Sequence, residues 1–167
     1  LSAARFLYRH TLGREVPVLE FIRPRRESKL PVVFSEQEVR SVLAAVRNPV
    51  LGALLTTIYA CGLRLSEALG LRTDRIDGDR MELHIVGKGA RERYVPLAPS
   101  VLVLLREYWR SHRPPKPLLF VNAHTGALYS THGVQTAFRK ARDAAGIEKP
   151  ATIHTLRHYA ECRIMPS

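Results

Sequence analysis

Cysteine is scarce in this chain, with only Cys61 and Cys162 in 167 residues. Two are too few for a disulfide scaffold, and they fit a reducing compartment. Long apolar runs are missing too. None reaches the roughly 18–20 residues that span a bilayer, and the longest, around Val50–Ala60, is broken by Gly52 and two threonines. No N-terminal signal pattern and no internal repeat is visible. Acidic residues fall well short of basic ones, 15 against 26, leaving a net charge of +11. Lysine is the minor cation, with 5 Lys to 21 Arg. Guanidinium forks match phosphate oxygens in two bonds, so this bias favours a nucleic-acid backbone over a membrane surface. No Lys/Arg block flanks an apolar helix, which argues against the membrane. An arginine-rich proteome would produce the same bias without any function. The G-x-x-x-x-G-K-[ST] spacing of a P-loop is absent. The 46% hydrophobic content excludes disorder as the main state, and the length fits one domain with a fragment of a second.

Local signals divide the chain. Residues 1–13 read as the end of a helix stopped by Gly13, with no initiating Met. Residues 14–33 carry Pro17, Pro24 and Pro31 plus the basic cluster Arg23, Arg25, Arg26 and Lys29, which makes them an extended linker. Such a linker either tracks phosphates or is simply solvated. From Phe34 the pattern is compact. Ser35 and Glu38 form a capping box ahead of Val39, Val42, Leu43 and Val46, and Asn48 caps a helix with Pro49 at its first position, running to Gly62. A short helix is expected over Leu65–Leu69, a turn at Asp77–Asp79, and strands over Arg80–Val86 and Arg91–Leu97 around the turn Gly87–Ala90. Pro99 opens a helix containing Trp109, and Leu118–Val121 reads as a short apolar strand. Ser130 caps a helix stopped by Gly146, and a last helix is expected near Thr155. The fold class is α+β: mostly helical with one small antiparallel sheet.

Three segments carry chemistry. In Cys61-Gly-Leu-Arg-Leu-Ser-Glu67, Arg64 stands at a helix start between inward-pointing apolar residues. It is expected not to be simply solvated, with Glu67 three positions on to hold its guanidinium. A structural ion pair is the plainer use of the same residues. In Gly87-Lys-Gly-Ala-Arg-Glu-Arg-Tyr94, glycines flank Lys88 at a hairpin tip, from which an ammonium could protonate an oxygen leaving group. An isolated hairpin lysine is more often only solubilising. In His154-Thr-Leu-Arg-His158, His154 and Arg157 share a face if the helix begins there, which suits proton transfer and charge stabilisation at one phosphate. His154, His158 and Cys162 also line one face, as zinc ligands would. Thr155 stands where H-E-x-x-H has its Glu, so zinc-protease chemistry is excluded, and a structural zinc would need a fourth ligand.

In this order, the stretches YACGLRLSEALGL, VGKGARERYVPL and IHTLRHYA resemble the tyrosine recombinase (phage integrase) family, over about residues 34–160. The resemblance implies a DNA breaking-rejoining catalytic domain over 34–167. It implies an interdomain linker over 14–33, and the last helix of an N-terminal core-binding domain over 1–13. By it, Arg64 and Arg157 match the two catalytic arginines, His154 the histidine of His-x-x-Arg, and Lys88 the hairpin lysine. Glu67 matches the acidic brace of the first arginine, and His158 is a supporting residue. DNA contacts are expected from Arg23, Arg25, Arg26 and Lys29 and from Arg91 and Arg93. The implied partner is double-stranded DNA, with a homo-oligomer assembling on it. No metal, nucleotide cofactor, small-molecule substrate or membrane is implied, and the setting is the prokaryotic cytoplasm. Type IB topoisomerases share related logic, but GLRLSEALGL is similar to the integrase branch.

The chain departs from that pattern at its end. The family's further His or Trp and its nucleophilic Tyr lie roughly two to four helical turns and a loop beyond the second arginine, whereas ten residues follow Arg157. Of the tyrosines at 8, 59, 94, 108, 129 and 159, only Tyr159 is near, and it falls on the opposite side of the helix from Arg157, as core packing does. The tail Glu161–Ser167 reads unlike a continuing helix. The expectation is a recombinase fragment, cut at both ends, that binds DNA and cannot cleave it alone. The alternatives are a non-catalytic DNA-binding or regulatory module that retains the fold, and a zinc-stabilised interaction domain.

Overall fold

Ser35 starts the ordered architecture as its sequence suggests. Its hydroxyl accepts from the Glu38 amide and the Glu38 carboxylate accepts from the Ser35 amide, which fixes helix α1 (Glu36–Ala44). The computed structural model to which this helix belongs describes residues 10, 11, 13, 32–87, 89, 91–122 and 125–157. It divides the chain into two units, Leu1–Leu30 and Pro31–Ser167, and the elements described lie in the second. Asn48 caps α2 (Pro49–Cys61) by accepting from the Val50 and Leu51 amides. Helix α2 is apolar around nearly its whole circumference, with Val50, Leu51, Leu54, Leu55 and Ile58 all buried, so it forms the centre against which α1 and two later helices pack. Even its buried Thr57 is satisfied internally, donating to the Ala53 carbonyl at 2.7 Å.

Gly62 ends α2 in the left-handed region (φ 60°), where a side chain would be strained. That reversal buries Leu63 and sends the chain directly into the short α3 (Leu65–Leu69), which carries Glu67. After a 3-10 turn over Thr73–Arg75 comes a three-stranded antiparallel sheet in the order β1 (Ile76–Asp77), β2 (Glu82–Val86), β3 (Glu92–Pro96). The register pairs Leu83 with Val95 and Ile85 with Arg93, so these four share the inward face. On the outer face His84 stacks on Tyr94 with ring centres 5.0 Å apart, and Arg75 and Glu92 bond to its two ring nitrogens. The Asp77 carboxylate takes the amides of Asp79 and Arg80, which keeps those residues in the turn and starts β2 two residues later than alternation alone suggests.

Helix α4 (Pro99–His112) lies on α2, and the Tyr108 hydroxyl donates to the Leu119 carbonyl at 3.0 Å. The expected strand Leu118–Val121 is not one. It makes only isolated bridges, Arg72 with Leu118 and Val121 with Leu128, because consecutive Leu119 and Phe120 are both buried where a one-sided strand would alternate. Helix α5 (Thr131–Ala144), capped by Ser130, packs on α1, and Phe138 meets Phe34 edge-on. Lys149 pairs with Glu38 at 2.7 Å and Arg142 donates to the Ala151 carbonyl, so the loop after α5 is tied down at both ends. It delivers a helical segment, residues 153–157, two positions earlier than expected, since the Thr155 hydroxyl accepts from the Thr152 amide. Ile153, Thr155 and Leu156 anchor that segment in the core, leaving His154 exposed. The result is the α+β class read from the sequence. Among the described residues no helix is long and apolar enough to cross a membrane.

Candidate active site

Glu67 is the hub of the site. Its side chain is only 4% exposed, yet it sits among three arginines from three separate segments. Oε1 accepts from Arg64 Nη1 at 2.9 Å and from Arg93 Nη1 at 2.8 Å. Oε2 accepts from the Arg64 amide and from Arg93 Nη2, both at 2.8 Å. Arg157 Nη1 stands 3.8 Å from Oε2, an ion pair longer than a hydrogen bond. Burial alone would push the Glu67 carboxyl up. The hydrogen bonds from Arg93, and then from the Arg64 amide and guanidinium, outweigh it and hold the group at about 2.

Because the folded state depresses this carboxyl, its stabilising contribution is complete above its ordinary value of 4.5 and is lost as the pH falls toward about 2. The difference in urea midpoint between the wild type and Glu67→Gln should therefore shrink through that acid window and stay flat above it.

The second arginine and the histidine arrive together as their spacing suggests. Arg64, His154 and Arg157 line one cavity of about 480 Å³. Arg64 is 56% exposed, so its guanidinium is held by Glu67, as its spacing suggests, and is still open to solvent. Arg157 is 16% exposed. The far wall comes from α5, through His132, Gln135, Arg139 and Arg142, and among the described residues no Asp or Glu lines the cavity. Arg142 is engaged by Asp143 and by the Ala151 carbonyl, and Arg64 and Arg157 are braced by Glu67, so the cavity gathers arginines held in place by partners behind them, an arrangement suited to an anion. Phosphate oxygens are what two such forks fit best. A larger cavity, about 610 Å³ between α4 and the turn Thr73–Arg75, contains none of the expected site residues.

The hairpin reaches the same centre. The Gly87 amide donates to the Arg91 carbonyl at 2.8 Å, closing the turn, and a Cβ at Gly87 would stand 3.5 Å from Glu67 Oε1. Arg91 is exposed. Lys88, His158 and the linker residues Arg23, Arg25, Arg26 and Lys29 lie outside the described residues, as do His158 and Cys162 of the zinc alternative. Among the described residues no three His, Cys, Asp or Glu side chains cluster as metal ligands would. The sequence reading missed the α5 wall. Its signal was the polar spacing of His132, Gln135, Arg139 and Arg142, one helical stripe beside the apolar stripe of Val134, Phe138 and Ala141.

The chain is thus a mostly helical α+β domain with a cationic cavity braced by a buried carboxylate. Residues 33–165 match the model of the phage integrase family, and the chain belongs to that family, the tyrosine recombinases. It is 41% identical to the integrase/recombinase y4qK of Sinorhizobium fredii over 160 residues, covering 95% of this chain and 52% of that protein. To the tyrosine recombinase XerD of Lacticaseibacillus casei it is 35% identical over 174 residues, covering 96% and 58%. The chain thus spans about half the length of the curated relatives it matches. Its fold is similar to that of XerA recombinase, with a TM-score of 0.71 at 23% identity, over 98% of this chain and 58% of that one. It is also similar to a λ integrase dimer bound to a COC′ core site, with a TM-score of 0.72 at 16% identity, over 95% and 49%.

Proposed function

We propose that this domain grips one phosphate of duplex DNA for strand cleavage and rejoining in site-specific recombination. The observation that carries the reading is the convergence of Arg64, His154 and Arg157 on one cavity behind a buried, saturated Glu67. When a tyrosine oxygen attacks a DNA phosphorus, negative charge grows on the non-bridging oxygens. Two guanidinium forks fixed in advance stabilise that charge where it develops. The attack forms a 3′-phosphotyrosyl bond and releases a 5′ hydroxyl. Lys88 gives the proton to that leaving oxygen and His154 assists proton transfer. The covalent link conserves the bond energy, so rejoining is the same step reversed and needs no nucleotide cofactor. Arg91 and the basic residues of 14–33 hold the flanking backbone. Duplex DNA as the partner, and assembly of more than one copy on it, are supported by relatives such as the λ integrase dimer on its core site.

The nucleophile is the component for which the described residues offer no candidate. Tyr59, Tyr94, Tyr108 and Tyr129 are described, and none of them lines the cavity. Tyr8 and Tyr159 lie outside the described residues, and with Tyr159 placed by its spacing on the helix side away from Arg157, the reading is that these 167 residues alone bind DNA without cutting it. Incubation with a nicked suicide duplex library should yield retained, non-covalent complexes and no covalent adduct. An adduct mapped to any tyrosine of this chain would overturn the inactivity, and failure to retain duplex at all would overturn the DNA reading.

A further inference from the structure

Arg93 was grouped by sequence with residues that touch DNA, but its fork is spent elsewhere. Both terminal nitrogens bond to the two oxygens of Glu67, each at 2.8 Å. It reaches them from the inward face of β3, opposite Ile85, one residue pair from the hairpin turn that approaches the same carboxylate. A carboxylate offers about four lone-pair sites. Arg64 fills two of them, through its amide and its guanidinium, and Arg93 fills the other two. Arg157 Nη1 stands 3.8 Å from Oε2 of the same carboxylate, close enough to feel its charge and too far for a hydrogen bond to it.

We infer that Arg93 is a positioning residue: by filling the acceptor positions of Glu67 that Arg64 leaves open, it fixes the carboxylate that braces Arg64, keeps Arg157 from closing onto that carboxylate, and ties the lysine-bearing hairpin to both. This rests on the phosphate-gripping role proposed for the cavity. Lysine at 93 retains the positive charge but cannot present a planar two-nitrogen fork. If Arg93 acted only as one more cation, Arg93→Lys would be nearly silent. As a positioning residue it is not, because Glu67 regains a lone pair and draws an arginine away from the anion.

The test follows arginine side-chain nitrogen resonances of the full chain during titration with inorganic phosphate. In the wild type Arg64 and Arg157 should shift on binding while Arg93 keeps its position. Arg93→Lys should weaken phosphate binding about tenfold, the scale of one charge-assisted hydrogen bond. The inference is overturned if Arg93 shifts along with Arg157 in the wild type, a readout that needs no variant to fold. It is equally overturned if a folded Arg93→Lys binds phosphate as the wild type does. Absence of any shift at both Arg64 and Arg157 in the wild type would instead sink the phosphate site itself.

Discussion

Glu67→Ala is expected to destabilise the domain by about 3 kcal/mol, the lower range for removing one partner from a buried ion cluster. The cost comes from what is left behind. Arg93 and Arg157 are 35% and 16% exposed, and each loses the negative charge it is set against. Arg64 is more open and rehydrates, which keeps the loss from being larger. The variant also removes the acceptor of the Arg64 amide, so the first turn of α3 loses the side-chain bond that caps it. Glu67→Gln keeps an oxygen acceptor and the shape of the side chain, and should cost less than alanine. Urea unfolding at neutral pH measures both. A loss below about 1 kcal/mol for alanine would place Glu67 among ordinary surface pairs and remove the hub from the account.

Replacing both Arg64 and Arg157 by glutamine should weaken duplex binding about a hundredfold at low salt, about tenfold for each guanidinium. Stability should move little for Arg64→Gln, which is 56% exposed, and more for Arg157→Gln, which is 16% exposed in the helical segment 153–157. Separating the two readouts matters because a cavity that merely collapsed would lose affinity and stability together. Retained folding with lost affinity, measured by fluorescence anisotropy and thermal unfolding on the same samples, is the expected pattern.

Much of this architecture is legible in the amino-acid sequence. Ser35, Asn48 and Ser130 cap their helices as their side-chain chemistry dictates, and Gly62 adopts the backbone that only glycine takes without strain. The His154–Arg157 pair faces one cavity because three residues of helix nearly complete a turn. What stayed hidden depends on long-range approach. Arg93 and Glu67 are 26 positions apart, and no local rule joins a strand residue to that short helix. A trace was present nonetheless, since Arg93 sits in register with Val95 on the core-facing side of β3, where a cation demands an internal partner. Leu118–Val121 misled for the opposite reason: an apolar run looks the same whether it joins a sheet or fills a core.

The central claim is that Arg64 and Arg157 close on a single phosphate rather than on two. The salt dependence of duplex binding counts phosphates, because each one neutralised contributes about 0.9 to the slope of log affinity against log salt. Wild type, each single glutamine variant and the double variant should be measured on one duplex. The double variant is expected to lose about one phosphate equivalent of slope in total, and neither single variant more than that. A loss of two equivalents, one for each arginine, or an unchanged slope would contradict it.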